Sequence, residues 1–175
     1  ILMKEGPARD SVIDHCYIYN SYCNQHGDIY GDGGGAIHIQ DENITISNCA
    51  IINSTANKTF GGAIAFEYKT NEKSRTARYG SLINVTIQNV KTNSGNGGAI
   101  FWSGDYGYMY NVTIFNASSN SDYNTAANGG AIYVSGSNCN FDLVNIASSS
   151  SNNKNTASSN QVNGGAIHVS GADNV

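Results

Sequence analysis

Proline occurs once in these 175 residues, charged side chains make up only 13% of them, and no stretch repeats apolar residues at the i, i+3, i+4, i+7 spacing of an amphipathic helix. The chain is instead rich in Asn, Ser, Thr and Gly. These are poor helix formers, because they hydrogen-bond locally or lose too much backbone entropy, so an ordinary mixed globule is excluded. A net charge of −4 leaves no basic stripe for phosphates, which sets nucleic acid aside as a partner. No apolar run approaches the ~18 residues of a membrane span, so direct membrane insertion is not expected. Ile1 to Asp10 lacks the apolar core of a signal peptide. The four cysteines, Cys16, Cys23, Cys49 and Cys139, include no C-x-x-C pair, so zinc spacing is missing.

What the chain does have is repetition. The tetrapeptide GGAI occurs five times, with its isoleucine at Ile37, Ile64, Ile100, Ile132 and Ile167, at spacings of 27, 36, 32 and 35 residues. Periods of this length mark solenoids or arrays, in which each unit buries its apolar face against its neighbours. A second motif alternates with the first: IDHCYIYN from Ile13, ISNCAIIN from Ile46, LINVTIQN from Leu82, MYNVTIFN from Met109 and FDLVNIAS from Phe141. From the GGAI isoleucine to Ile51, Ile87, Ile114 and Ile146 of this motif the separations are 14, 23, 14 and 14, and the long one contains the charged stretch Lys69 to Arg78, read as a protruding loop.

Each motif alternates as a β-strand does. One face of the GGAI strand carries Ile37, Ile64, Ile100, Ile132 and Ile167, then Ile39, Phe66, Trp102, Val134 and Val169. In the second strand the core columns are Cys16, Cys49, Val85, Val112 and Val144, then Ile18, Ile51, Ile87, Ile114 and Ile146. Period-two alternation carried two residues further places Asn20, Asn53, Asn89 and Asn116 inside as well, with Ser148 last. Stacked at ~4.8 Å, such amides can satisfy one another, which gives an inward asparagine ladder. The GG pair fits a corner that needs positive φ or close backbone approach. No helix follows GDGGGA or NGGA, so a phosphate cradle is unsupported and no cofactor is implied.

The reading is an all-β, right-handed parallel β-helix of about five coils, one domain over 1–175, taken as a fragment of a longer repeat protein. Connections are expected at residues 118–128 and 148–163. A single coil buries too little to stand alone, so coil ends left uncovered offer strand edges for self-association.

The segments NGGAIYVSG, NGGAIFWSG and NVTIFNAS resemble the repeats of methanogen adhesin-like proteins. The GGAI element is also similar to the repeat of bacterial polymorphic outer-membrane proteins, although their phenylalanine-containing tetrapeptide is missing. The likeness runs from Ile13 onward. It implies a right-handed β-helix displayed outside the cell, with an adhesive or surface-covering role and a glycan or protein of a host or neighbouring cell as partner.

An enzymatic alternative, a polysaccharide lyase or hydrolase, needs two or three carboxylates within about 5 to 10 Å or a calcium cluster with a base. The outward columns are His38, Ala65, Phe101, Tyr133, His168; Tyr17, Ala50, Thr86, Thr113, Asn145; and Tyr19, Ile52, Gln88, Phe115, Ala147, with no acidic pair. His38 and His168 are taken as surface residues, and Asp28, Asp32, Asp41 and Glu42 as solvated loop acids, so neither a catalytic nor a metal site is assigned. A third possibility is a self-assembling fibre or a tailspike-like receptor-binding shaft.

Candidate ligand-binding residues are the aromatics Phe101 and Tyr133 on adjacent coils, with Tyr106 and Tyr108 in the segment that also holds Tyr110. Of six N-x-S/T sequons, those at Asn43 and Asn57 are the candidates for glycosylation, since Asn53 and Asn116 belong to the expected inward ladder. Cys16 and Cys49 share a column and are read as packed thiols; Cys23 has no columnar partner in this reading.

Overall fold

A computed structural model describes residues 1–3, 9–24, 33–67, 77–120, 127–152 and 164–175. Among them there is no helix, and every strand pairing is parallel. The first sheet stacks β1 (Leu2–Met3), β5 (Ile37–Ile39), β9 (Ile64–Phe66), β11 (Ile100–Trp102), β13 (Ile132–Val134) and β15 (Ile167–Val169) in that order. The second holds nine strands in five rungs. Its first rung is β2 (Val12–Asp14), β3 (Tyr17–Tyr19) and β4 (Tyr22–Asn24), its next β6 (Thr45–Ser47), β7 (Ala50–Ile52) and β8 (Thr55–Asn57). The other three are the long strands β10 (Ser81–Thr92), β12 (Tyr108–Asn120) and β14 (Asn140–Asn152). The chain is a parallel β-helix.

Equivalent residues lie over one another, as the repeat requires. Ile37 pairs with Ile64, Ile64 with Ile100 and Ile100 with Ile132, while Ile18, Ile51, Ile87, Ile114 and Ile146 form one unbroken column in the second sheet. Ile37, Ile64, Ile87, Ile100 and Ile114 have no exposed surface, and Phe66 stacks on Trp102 at 4.0 Å in the inner column beside them. Burial falls away at the last described rung, where Ile167 and Val169 are exposed. One rung had no repeat signal: Leu2 and Met3, which precede the motifs, pair with His38 and Ile39 and extend the first sheet.

The asparagine columns lie on the other side of the wall from where simple alternation puts them. In the second rung Asn43, Asn48, Asn53 and Lys58 stand five residues apart and all have positive φ, at 57, 51, 56 and 62°. Between them Ile44, Ile46, Cys49, Ile51, Ser54 and Ala56 are buried, and the residues that alternate with them are more exposed. A residue in the left-handed region inserts one extra outward position, so the period is five rather than two. Asn20, Asn89 and Asn116 are therefore exposed and Asn53 is half-buried. Their φ values of 55 to 56° give the reason for the residue type, because Asn enters that region at less cost than other side chains with a Cβ.

The amides still form ladders, outside. Asn53 Nδ2 donates to Asn20 Oδ1 at 3.3 Å and Asn116 Nδ2 to Asn89 Oδ1 at 2.8 Å. A second ladder five residues earlier runs from Asn111 to Asn84 and from Asn84 to Asn48, each at 3.0 Å. Asn57 Nδ2 to Asn24 Oδ1 at 2.8 Å and Asn93 Nδ2 to Asn57 Oδ1 at 3.2 Å belong to a third.

The two glycines of GGAI do different work. Gly97 has φ 70°, and the equivalent glycines along the column lie between 64 and 74°. Gly98 has no such φ; a Cβ there would collide with the carbonyl oxygen of Gly130 and with the backbone of Ser118. The end of the second-sheet strand thus passes directly behind this glycine and leaves little room inside. Only small residues line that corner, Cys23, Ala56, Thr92, Ser119 and Ser151 in one column, so Cys23 does have columnar neighbours. For the same reason the Ser-rich runs read as connections begin as strand: β12 continues to Asn120 and β14 to Asn152. The remainder, 121–126 and 153–163, and 69–76 of the expected protruding loop, lie outside the described residues.

Candidate functional site

The outer column of the first sheet is an aromatic stack. Phe60 lies 4.6 Å from Phe101, Phe101 lies 5.4 Å from Tyr133, and Tyr133 lies 5.1 Å from His168, all near parallel. Phe101 is only 8% exposed, with Phe60 against it, so it is not the free aromatic surface expected; Tyr133 and His168 are half-buried. Tyr108, also half-buried, has its ring 6.4 Å from that of exposed Tyr110. The largest ring exposure of the second sheet is on its first rung, at Tyr17, Tyr19 and Tyr22.

Tyr106 has a neighbour that the motifs did not flag. At the corner leading into the second sheet, backbone hydrogen bonds align Asp10, Asn43, Tyr79, Tyr106, Asn138 and Asp173 in one column, all with φ between 54 and 61°. Four of the six are Asn or Asp. The other two are bulky residues in a conformation that costs ~1–2 kcal/mol per residue, and they are adjacent. Their rings stack at 5.0 Å with 15° between planes, and the two residues are 48% and 42% exposed. The signal that finds Tyr79 is the five-residue step back from Asn84, the same step that leads from Asn111 to Tyr106.

Beside this column runs one of alternating charge: Arg9, Glu42, Arg78 and Asp105 on successive rungs. Arg9 lies 3.8 Å from Glu42 and from Asp41, and Arg78 Nε lies 3.9 Å from Asp105 Oδ2. The guanidinium carbon of Arg78 is 5.7 Å from the centre of the Tyr79 ring and 5.2 Å from that of Tyr106.

Histidine and carboxylate side chains are used mostly between rungs. His38 is 3% exposed rather than a surface group; its Nε2 and the Nε2 of Gln40 both lie 2.8 Å from Glu67 Oε2. Glu67 carried no motif, and only its position two residues beyond the paired Ala65 explains the contact. Asp14 accepts from Ser47 Oγ at 2.6 Å and from Asn48 Nδ2 at 2.9 Å, with His15 also at 2.6 Å, and these bonds hold its carboxyl at about 2. Whatever that network contributes to stability is present above the ordinary carboxylate range and is lost as pH falls towards 2. Asp41 is buried rather than solvated, and its Oδ1 accepts from the Glu42 amide at 2.8 Å. Asp28 and Asp32 lie outside the described residues.

All four cysteines are free. The Cys16 amide lies 3.3 Å from Cys49 Sγ, and burial raises the pKa of the Cys49 and Cys139 thiols. Among the glycosylation candidates Asn43 is exposed at the corner, whereas Asn57 is tied into its ladder on both sides. Comparison with known proteins finds no family, no curated protein and no solved structure that matches this chain.

Proposed function

We propose that this chain is part of a cell-surface, adhesin-like protein that presents a rigid, patterned outer face to a glycan or protein of a host or neighbouring cell and acts without catalysis. The observation that carries the reading is where the side chains go. The interior is filled by stacked aliphatic and aromatic columns, while tyrosines and rows of amides stand on the outer wall. Aromatic rings and amide groups on a stiff surface suit contact with sugar rings or a partner protein. Of the described carboxylates, Asp14, Asp105 and Glu67 each accept hydrogen bonds that link rungs, a structural use of groups a hydrolase would keep for its substrate.

The labelled chain should bind to whole cells or to arrayed glycans and release neither reducing nor unsaturated sugar from polysaccharides. Product release in that assay would replace this reading by a lyase or hydrolase. Binding to none of the surfaces would also contradict it.

A further inference from the structure

We infer that Tyr79, Tyr106 and Arg78 form a binding site for a pyranose residue of a neutral glycan at the corner between the two sheets. The inference rests on the surface-binding reading above and gives that reading a defined site. Three observations combine.

The first is conformational. Tyr79 and Tyr106 occupy a left-handed column that Asn or Asp fills on the other four rungs, and the two residues remain 48% and 42% exposed. Two aromatic residues on adjacent rungs, both kept in such a conformation with their rings stacked at a partly open surface, point to a use outside the fold.

The second is the shape of the cluster. The two ring centres and the Arg78 guanidinium form a nearly equilateral triangle with sides of 5.0, 5.7 and 5.2 Å. The guanidinium of Arg78 thus lies within cation–π range of both rings. On the flanking rungs the column carries exposed Asn43 and Asn138, which are smaller than a phenol ring, so the pair stands as a step above them. The apolar face of a pyranose can lie on such a ring, with Arg78 as donor and Asp105 as acceptor for adjacent hydroxyls.

The third is charge. Among the described residues, Arg9 and Arg78 are outnumbered by Asp41, Glu42 and Asp105 around this corner, which disfavours an acidic sugar or a phosphate. A cationic ligand would have to approach an aromatic pair that the Arg78 guanidinium already contacts.

The test uses the fact that the column itself names a compatible replacement. Tyr79→Asn plus Tyr106→Asn installs the residue found at Asn43 and Asn138, so the double variant should melt at the same temperature as the parent chain or higher. Parent and variant are compared on an array of neutral oligosaccharides and by titration with the best of them. A loss of roughly tenfold or more in affinity, the scale of one lost stacking interaction, with no fall in Tm supports the site. Unchanged glycan binding overturns it, as does a lower Tm, which would make the tyrosines structural. If the parent binds cells but no neutral glycan on the array, this site is wrong while the surface-binding reading stands.

Discussion

Leu143 occupies the column that holds His15, Asn48, Asn84 and Asn111 on the four rungs before it, and it shares their backbone, with φ 53° against 51 to 54°. It is 57% exposed, so its side chain recovers less than half of what full burial would give, in a conformation that disfavours bulky residues. Leu143→Asn should raise stability by about 1 kcal/mol and extend the ladder that runs from Asn48 through Asn84 to Asn111. Urea denaturation measures this directly; a destabilised variant would mean that conformation is not what selects asparagine. At the residue scale the sequence pattern and the structure differ most. The repeat marks Asn20, Asn53, Asn89 and Asn116 as one column, but strand alternation cannot show the extra outward position that a left-handed residue inserts.

At the scale of the element, the inner columns were legible because apolar residues at fixed spacing have one good explanation in a solenoid. Val85, Val112, Ile87 and Ile114 lie where the motif puts them. Polar strand was not legible. The runs ending at Asn120 and Asn152 are strand because their inner positions face a tight glycine corner that admits Ser and Thr, and hydropathy gives no hint of that constraint. The corner is testable at two glycines of one column. Gly98→Ala sets a Cβ against the backbone of Ser118 and Gly130 and should cost about 1–3 kcal/mol, as a backbone shift in a packed corner does. Gly165→Ala, which meets no described atom within 4 Å, should lie within about 0.5 kcal/mol of the parent. Equal effects in thermal melts would mean that close backbone approach is not what demands the second glycine of the motif.

Over the whole molecule, the same small set of contacts is repeated from rung to rung: isoleucine on isoleucine inside, amide on amide outside, glycine at the corner. The candidate site was legible only in part, since Tyr106 belongs to a segment rich in tyrosine but Tyr79 has no motif of its own and becomes visible once the five-residue step is known. Both the architecture and the proposed binding face depend on that step being real. NMR of the chain labelled at isoleucine methyls, with a soluble paramagnetic probe added, tests it most directly. The account predicts contacts from Ile51 to Ile87 and from Ile87 to Ile114, with those three methyls protected from the probe while the adjacent Ile52 is broadened. Broadening of Ile51 and Ile87 together with protection of Ile52, or no contact between the methyls of successive rungs, would contradict it.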